Sequence, residues 1–247
     1  MLFRSTREKE SLHAHEIAHQ WFGNMATEKS FAHIWLSEGF ATYYSILYFE
    51  KKYGKDTADY ILKEDRNLAI DFAKNYERPV IDENKDYMEL LNPNSYQKGS
   101  WVLHMLRRQL GDSVFHKSIK KYYAEYAGKN ADTKDLQKVF EKTSGKDLSV
   151  FFQQWLYTAS IPKLDVSWNY LLKEKKLSVT IKQLQKTSFV FTLELELKNV
   201  TGNNTIKTII VSKKEETFII PVKEKPASVT LDPHTSLLFS GNVMEKR

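Results

Sequence analysis

The side-chain period of this chain changes once, close to Pro162, and that switch bounds the fold more tightly than any other feature. Before it, apolar residues recur at helical spacing. The stretch from Phe31 to Tyr53 is apolar and aromatic and ends at Gly54. Trp101, Val102, Leu103, Met105, Leu106 and Leu110 recur at helical intervals and stop at Gly111, as at a C-cap. Asp132 or Thr133 is placed to cap a helix that carries Leu136, Val139 and Phe140 and closes at Gly145. Leu148, Phe151, Phe152, Trp155 and Leu156 form the stripe of a core-facing helix.

After Pro162 the period is two. Leu164, Val166, Trp168 and Tyr170 alternate with polar residues, then Leu177, Val179 and Ile181, then the run Phe189 to Leu197. Gly202-Asn203-Asn204 is a turn signal, Phe218, Ile220 and Val222 mark another strand, and Val229 and Leu231 run into Asp232-Pro233. Short alternating strands at this spacing predict a small β-sandwich. The expected fold class is therefore α+β in two domains: a mainly helical domain over residues 1–160 and a β-sandwich over residues 161–247.

Composition agrees with two modest domains. The 247 residues include five Trp, 13 Tyr and 14 Phe, enough for a substantial core. Without cysteine, neither a disulfide nor a thiolate metal site can form. No apolar run approaches the ~20 residues that span a bilayer, and the first dozen residues lack the apolar core of a signal peptide. Residues 1–160 carry 23 basic and 22 acidic side chains, residues 161–247 carry 14 and 9. The C-terminal excess is scattered lysine without clustered arginine, which reads as a solvated sheet face rather than a nucleic-acid surface. Neither nucleic acid nor membrane is an expected partner. Nothing in the composition assigns a compartment.

Leu12 to Gln20 reads LHAHEIAHQ and holds three of the chain's seven histidines. On an α-helix each residue turns by about 100°, so His15 and His19 lie about 40° apart on one face. Two imidazoles so placed reach one Zn²⁺ at about 2.0–2.1 Å each. Glu16 lies at the edge of that face, where a general base for metal-assisted hydrolysis belongs. His13 lies about 160° from His15, on the far side. A catalytic zinc needs a third protein ligand. Glu38, a lone carboxylate inside the apolar-aromatic run, is the first candidate, because burial there demands a cation partner. Glu28 and His33, in the intervening connection, compete with it.

The chain closely resembles the gluzincin zinc aminopeptidases related to aminopeptidase N and leukotriene hydrolase. The resemblance rests on His15-Glu16-Ile17-Ala18-His19-Gln20-Trp21-Phe22-Gly23-Asn24, on the 18 residues between His19 and Glu38, and on Leu36-Ser37-Glu38-Gly39-Phe40-Ala41. Arg78-Pro79-Val80, Tyr96-Gln97-Lys98-Gly99-Ser100, Leu103 to Arg107, Gly145 to Leu148 and Phe151 to Leu156 extend it, so that it covers nearly the whole chain. It implies a thermolysin-like catalytic subdomain followed by a β domain. It implies one Zn²⁺ per chain held by His15, His19 and Glu38, with Glu16 as general base and proton shuttle. Tyr96 would donate a hydrogen bond to the oxyanion formed at a peptide carbonyl. Without the resemblance, Tyr96 is one tyrosine among thirteen. The implied function is removal of N-terminal residues from peptide substrates.

The same resemblance names what the 247 residues do not include. The family's G-x-M-E-N segment, which holds the substrate's α-amine, precedes the histidine motif, and only fourteen residues precede His15 here. The expectation is a C-terminal part of the catalytic domain plus the following β domain, with weak zinc binding and little activity alone, and with self-association through uncovered apolar surface. Ser45 stands where the family often has a second glutamate supporting the metal ligands, which predicts lower metal affinity. Two other function classes compete: a non-catalytic interaction module or pseudo-enzyme, and a thermolysin-like endopeptidase. A pseudo-enzyme has no need for His15, Glu16, His19, Glu38 and Tyr96 together.

Overall fold

The computed structural model describes residues 2–83 and 86–246, and the chain divides into two compact units between Ala159 and Ser160. The first unit runs α1 (Leu2–Ala18), β1 (Ala26–Glu28), α2 (Trp35–Tyr53), α3 (Lys55–Asn75), α4 (Gly99–Leu110), α5 (Asp112–Tyr126), β2 (Lys129–Ala131), α6 (Thr133–Ser144) and α7 (Ser149–Phe152). Helix α2 is its centre and packs against α1, α3 and α4. Trp35, Phe40, Ala41 and Tyr43 of α2 are completely buried, and the Phe40 ring stacks on Phe22 with centroids 4.4 Å apart. Burying such large rings is the main stabilising contribution to this unit.

Two glycines set the path of the chain around α2. Gly54, at φ 89°, ends α2 and starts α3, and Gly111, at φ 80°, does the same between α4 and α5. These left-handed values are where glycine avoids a steric penalty. Helix α6 begins with a capping box. The Asp132 side chain accepts from the Asp135 N–H at 2.9 Å, and the Asp135 side chain accepts from the Asp132 N–H at 3.0 Å. Between these residues sits Thr133, fully buried, whose Oγ1 accepts from Trp35 Nε1 and pairs with His33 Nδ1, each at 2.9 Å. That hydroxyl fastens the start of α2 to the start of α6.

The described helices exceed those expected. Helices α3 and α5 lie in stretches without a legible stripe, and β1 pairs with β2 in parallel, Ala26 opposite Lys129 and Glu28 opposite Ala131. Phe31–His33 forms a separate short 3₁₀ turn before α2. The stripe from Leu148 to Leu156 is regular only through Phe152, beyond which Gln153–Tyr157 widens into a π-helical turn.

The second unit is a two-sheet sandwich. Its strands are β3 (Lys163–Leu171), β4 (Lys176–Gln183), β5 (Phe191–Lys198), β6 (Asn204–Val211), β7 (Glu215–Pro221), β8 (Ser228–Leu231) and β9 (Ser240–Glu245). One sheet has the order β7-β4-β3-β9, with β3 and β9 parallel, and the other β6-β5-β8. Register puts Val166 opposite Ile181 and Trp168 opposite Val179. These residues, with Phe191, Leu193 and Leu195 of β5, are buried. The alternation after Pro162 thus supplies the apolar faces of both sheets. Gln183, buried at the end of β4, accepts from the Phe189 N–H and donates to the Phe189 carbonyl, so Phe189 is locked just before β5 rather than within it. Among the described residues no helix is long and apolar enough to cross a membrane.

Candidate metal centre

Helix α1 carries His15, and His19 follows directly after its last residue, its N–H still donating to the His15 carbonyl at 3.3 Å, so the two stand one turn apart as the i, i+4 spacing requires. Glu38 comes from the first turn of α2, which packs alongside. The His15 Nε2 and His19 Nε2 atoms are 3.0 Å apart, and Glu38 Oε2 lies 3.2 Å from the first and 3.4 Å from the second. All three side chains are only about one-sixth exposed, at 15%, 18% and 15%.

Two details orient the rings. His19 Nδ1 donates to the Phe22 carbonyl at 3.1 Å, which leaves the Nε2 lone pair for the cluster. Ser37 Oγ also approaches His19 Nδ1, at 3.3 Å. On the other side Thr42 Oγ1 donates to the Glu38 carbonyl at 2.7 Å and lies 3.5 Å from His15 Nδ1. Burial pushes the Glu38 carboxyl up, yet the two imidazoles outweigh it and hold it at about 2. Glu38 in turn raises the pKa of His19 above the ordinary imidazole value, against the opposing effect of burial.

Donor chemistry and spacing test what this cluster can hold. Two imidazole Nε2 atoms 3.0 Å apart cannot face each other with bare lone pairs, so a proton or a cation must lie between them. Four ligands placed tetrahedrally at zinc distances stand about 3.3–3.4 Å apart. The observed triangle of 3.0, 3.2 and 3.4 Å fits that requirement closely. Among the described residues this is the one group of three metal-ligating side chains drawn so close.

The cluster lies in a cleft of about 580 Å³. Glu16 and Tyr96 line the same cleft. The Tyr96 ring lies nearly parallel to His15, 15° between planes and 5.9 Å between centroids. Burial, reinforced by the carboxylates of Glu38 and Glu16, pushes the Tyr96 phenol up to about 12, so near neutrality it is an O–H donor. Tyr96 sits in a π-helical turn, Asn94–Lys98, that leads into α4. Asn94 Nδ2 donates to the carbonyls of Arg78 and Pro79 at 2.8 and 3.1 Å, and Ser95 Oγ donates to the Leu90 carbonyl at 2.6 Å. These bonds anchor the turn to the chain before it.

The other histidines and carboxylates weighed from sequence lie elsewhere. His13 is exposed and lines a separate groove with Ile17, Trp21 and Tyr44 on the far side of α1. His33 pairs with Thr133. Glu28 ends β1 outside the cluster, its Oε2 buried without a partner and its carboxyl pushed up by burial. Ser45 donates to the Ser11 carbonyl at 3.1 Å. The cleft is also lined by residues that sequence reasoning did not assign to the site, among them Thr42, Asp65 and Gln97. Thr42 had a signal, four residues after Glu38 on one helix face; Asp65, on an unread helix, had none.

Residues 3–155 match the model of the peptidase family M1 domain. The chain is 31% identical over 181 residues to Aminopeptidase M1-A of Oryza sativa subsp. japonica, covering 72% of this chain and 20% of that protein. It is 29% identical over 227 residues to the alanine/arginine aminopeptidase of Saccharomyces cerevisiae, covering 85% of this chain and 25% of that protein. The crystal structure of Legionella pneumophila aminopeptidase A in complex with aspartic acid superimposes with a TM-score of 0.78 at 21% identity, over 94% of this chain and 26% of that one. The chain thus spans between a fifth and a quarter of the length of these relatives.

Proposed function

The chain belongs to peptidase family M1, a family of zinc metallopeptidases, and on that footing we propose that it carries the metal-binding and proton-transfer part of an aminopeptidase. The observation that carries this reading is the donor triangle of His15, His19 and Glu38, sized for one zinc ion, in one cleft with Glu16 and Tyr96. His15, His19 and Glu38 would hold the ion. When bound there, zinc supplies Lewis acidity toward a peptide carbonyl and lowers the pKa of water toward about 7.

The remaining roles belong to this chain's own groups. Glu16, next to His15 but outside the donor triangle, takes the proton of the attacking water and delivers it to the departing amine. Tyr96, which lines the cleft and is protonated near neutrality, supplies the hydroxyl donor for a carbonyl oxygen that gathers negative charge. His19 is held in one tautomer by the Phe22 carbonyl, so its ligating nitrogen needs no reorganisation. Substrates are peptides with a free amino terminus.

Zinc content of the purified 247-residue chain tests the metal role, and hydrolysis of an alanyl anilide, measured on the longest polypeptide its reading frame encodes, tests the chemistry. Glu16→Gln is expected to keep zinc at wild-type stoichiometry and to lose at least about 10²-fold in kcat, the contribution typical of a general base. Retained turnover in a zinc-loaded Gln variant, or unchanged zinc in His15→Ala, rejects the assignment.

A further inference from the structure

Asp65 is the one carboxyl lining the cleft, among the described residues, that the proposed reaction leaves without work. It lies on α3 and is only 9% exposed, and its Oδ2 is shielded from solvent without a hydrogen-bond partner. The hydroxyls nearby are already committed: Ser45 Oγ to the Ser11 carbonyl, Thr42 Oγ1 to the Glu38 carbonyl. No lysine or arginine among the described residues lines the cleft. Burial, with the charge of Glu64 adding to it, pushes the Asp65 carboxyl up to about 7.

The position does not need a carboxylate for packing. Asp65 follows Leu62 by three and precedes Ala69 by four, and both are buried, so an apolar side chain would continue that stripe. A buried carboxyl without a partner destabilises the fold, and substitutions that remove such a group are ordinarily stabilising. A buried polar group without a partner calls for an explanation, and on the wall of a cleft a bound ligand that supplies the partner is one.

We propose that Asp65 forms the floor of a cation subsite in this cleft, taking a positively charged nitrogen of a bound peptide, either a basic side chain or the amino terminus. The inference rests on the cleft being the substrate cleft. A guanidinium or ammonium there forms charge-assisted hydrogen bonds with both carboxylate oxygens and replaces the missing partner.

Three small probes test it by NMR titration of the 247-residue chain: acetyl-arginine amide, norleucine amide and acetyl-norleucine amide. They offer a side-chain cation, an α-ammonium and no cation. At least one charged probe is expected to bind about tenfold more tightly than the neutral one, the worth of a charge-assisted hydrogen bond. Which charged probe wins identifies the source of the cation. Asp65→Asn is expected to erase that advantage and leave the neutral probe's Kd unchanged. In the wild type, independently of any variant's folding, the ¹³C carboxyl resonance of Asp65 should move with the preferred charged probe and not with the neutral one. Equal binding of all three probes, or an advantage that survives Asp65→Asn, overturns the subsite. Zinc content and the Glu16→Gln result do not involve Asp65, so they decide the peptidase assignment separately.

Discussion

Replacing Gly39 by alanine tests how the metal centre depends on packing one residue away. Gly39 follows Glu38 in α2, and Gly99 follows Tyr96 by three residues at the start of α4. A Cβ at Gly39 would stand 3.0 Å from the Gly99 Cα and carbonyl carbon and 3.2 Å from the Ser95 oxygen, all backbone atoms. Ordinary contact begins at 3.4 Å, so the two segments must separate by about 0.4 Å. No side chain can rotate out of the way. Overpacking of this kind costs about 1–3 kcal/mol. Alanine recovers about 1 kcal/mol through helix propensity, so the net loss is about 1 kcal/mol. That corresponds to a fall of about 2–4 °C in Tm for a chain of this size. The effect on metal should be larger in proportion. Ligand distances tolerate only about ±0.2 Å, and a separation of about 0.4 Å taken up by α2 shifts Glu38 by more than that relative to His15 and His19. Zinc affinity is expected to drop about tenfold, comparable to loss of a group that supports a metal ligand. Thermal unfolding and competitive zinc titration measure both quantities. A Tm that rises, as helix propensity alone dictates, together with unchanged zinc affinity, refutes the close-approach argument.

Three further outcomes follow from the same structure. Thr133→Val leaves the buried Trp35 indole N–H without its acceptor and should cost about 1–3 kcal/mol in urea unfolding; a loss below about 0.5 kcal/mol contradicts the role of that hydroxyl as a fastener. Zinc at a free concentration of 100 Kd should raise stability by about 2.7 kcal/mol, reversed by a chelator and absent in Glu38→Ala; an undiminished shift in that variant places the metal elsewhere. Asp65 sets a pH dependence of opposite sign to most carboxylates. Its folded pKa, about 7, lies above the unfolded value of 3.8, so the fold binds the extra proton between those limits. The contribution of Asp65 to stability is full below about pH 4 and is lost progressively as pH rises toward 7. Asp65→Asn should flatten that slope in urea titrations at pH 5 and pH 8, and an unchanged slope removes Asp65 as its cause.

Much of this architecture is legible from local pattern, and the illegible part has identifiable physical causes. The change of period at Pro162 reads directly as helices followed by strands, because burial of one face imposes period 3.6 or 2 on neighbouring residues. The pairing of His15 with His19 needs only one helical turn. Glu38 is legible as an anomaly, a carboxylate among Trp35, Leu36 and Phe40. Other features depend on contacts that local pattern does not encode. Strand β1 finds β2 about a hundred residues away, with three residues on each side and no alternation to announce either. Tyr96 owes its place to a π-helical turn held by Arg78, Pro79 and Leu90 carbonyls, a geometry without a periodic signature. The Gly39–Gly99 approach shows in sequence only as two ordinary glycines.

Helix α3 is the most consequential element that the pattern hid. It has no side-chain cap at its start, since Gly54 precedes it, and lysines and acids interrupt its apolar stripe. Asp65 reads there as one more charged residue on a solvated face. Its meaning changes only when α3 is laid along α2 and the carboxyl turns out to be enclosed. A motif marks residues that act on a shared local geometry, such as a metal held from one helix turn. A residue that selects what enters the cleft is under no such constraint and can arrive on any wall. The chemistry of this site is therefore written in its motif, whereas its selectivity has to be sought among enclosed polar groups that the fold leaves unpartnered, and Asp65 is the member of that class lining the cleft.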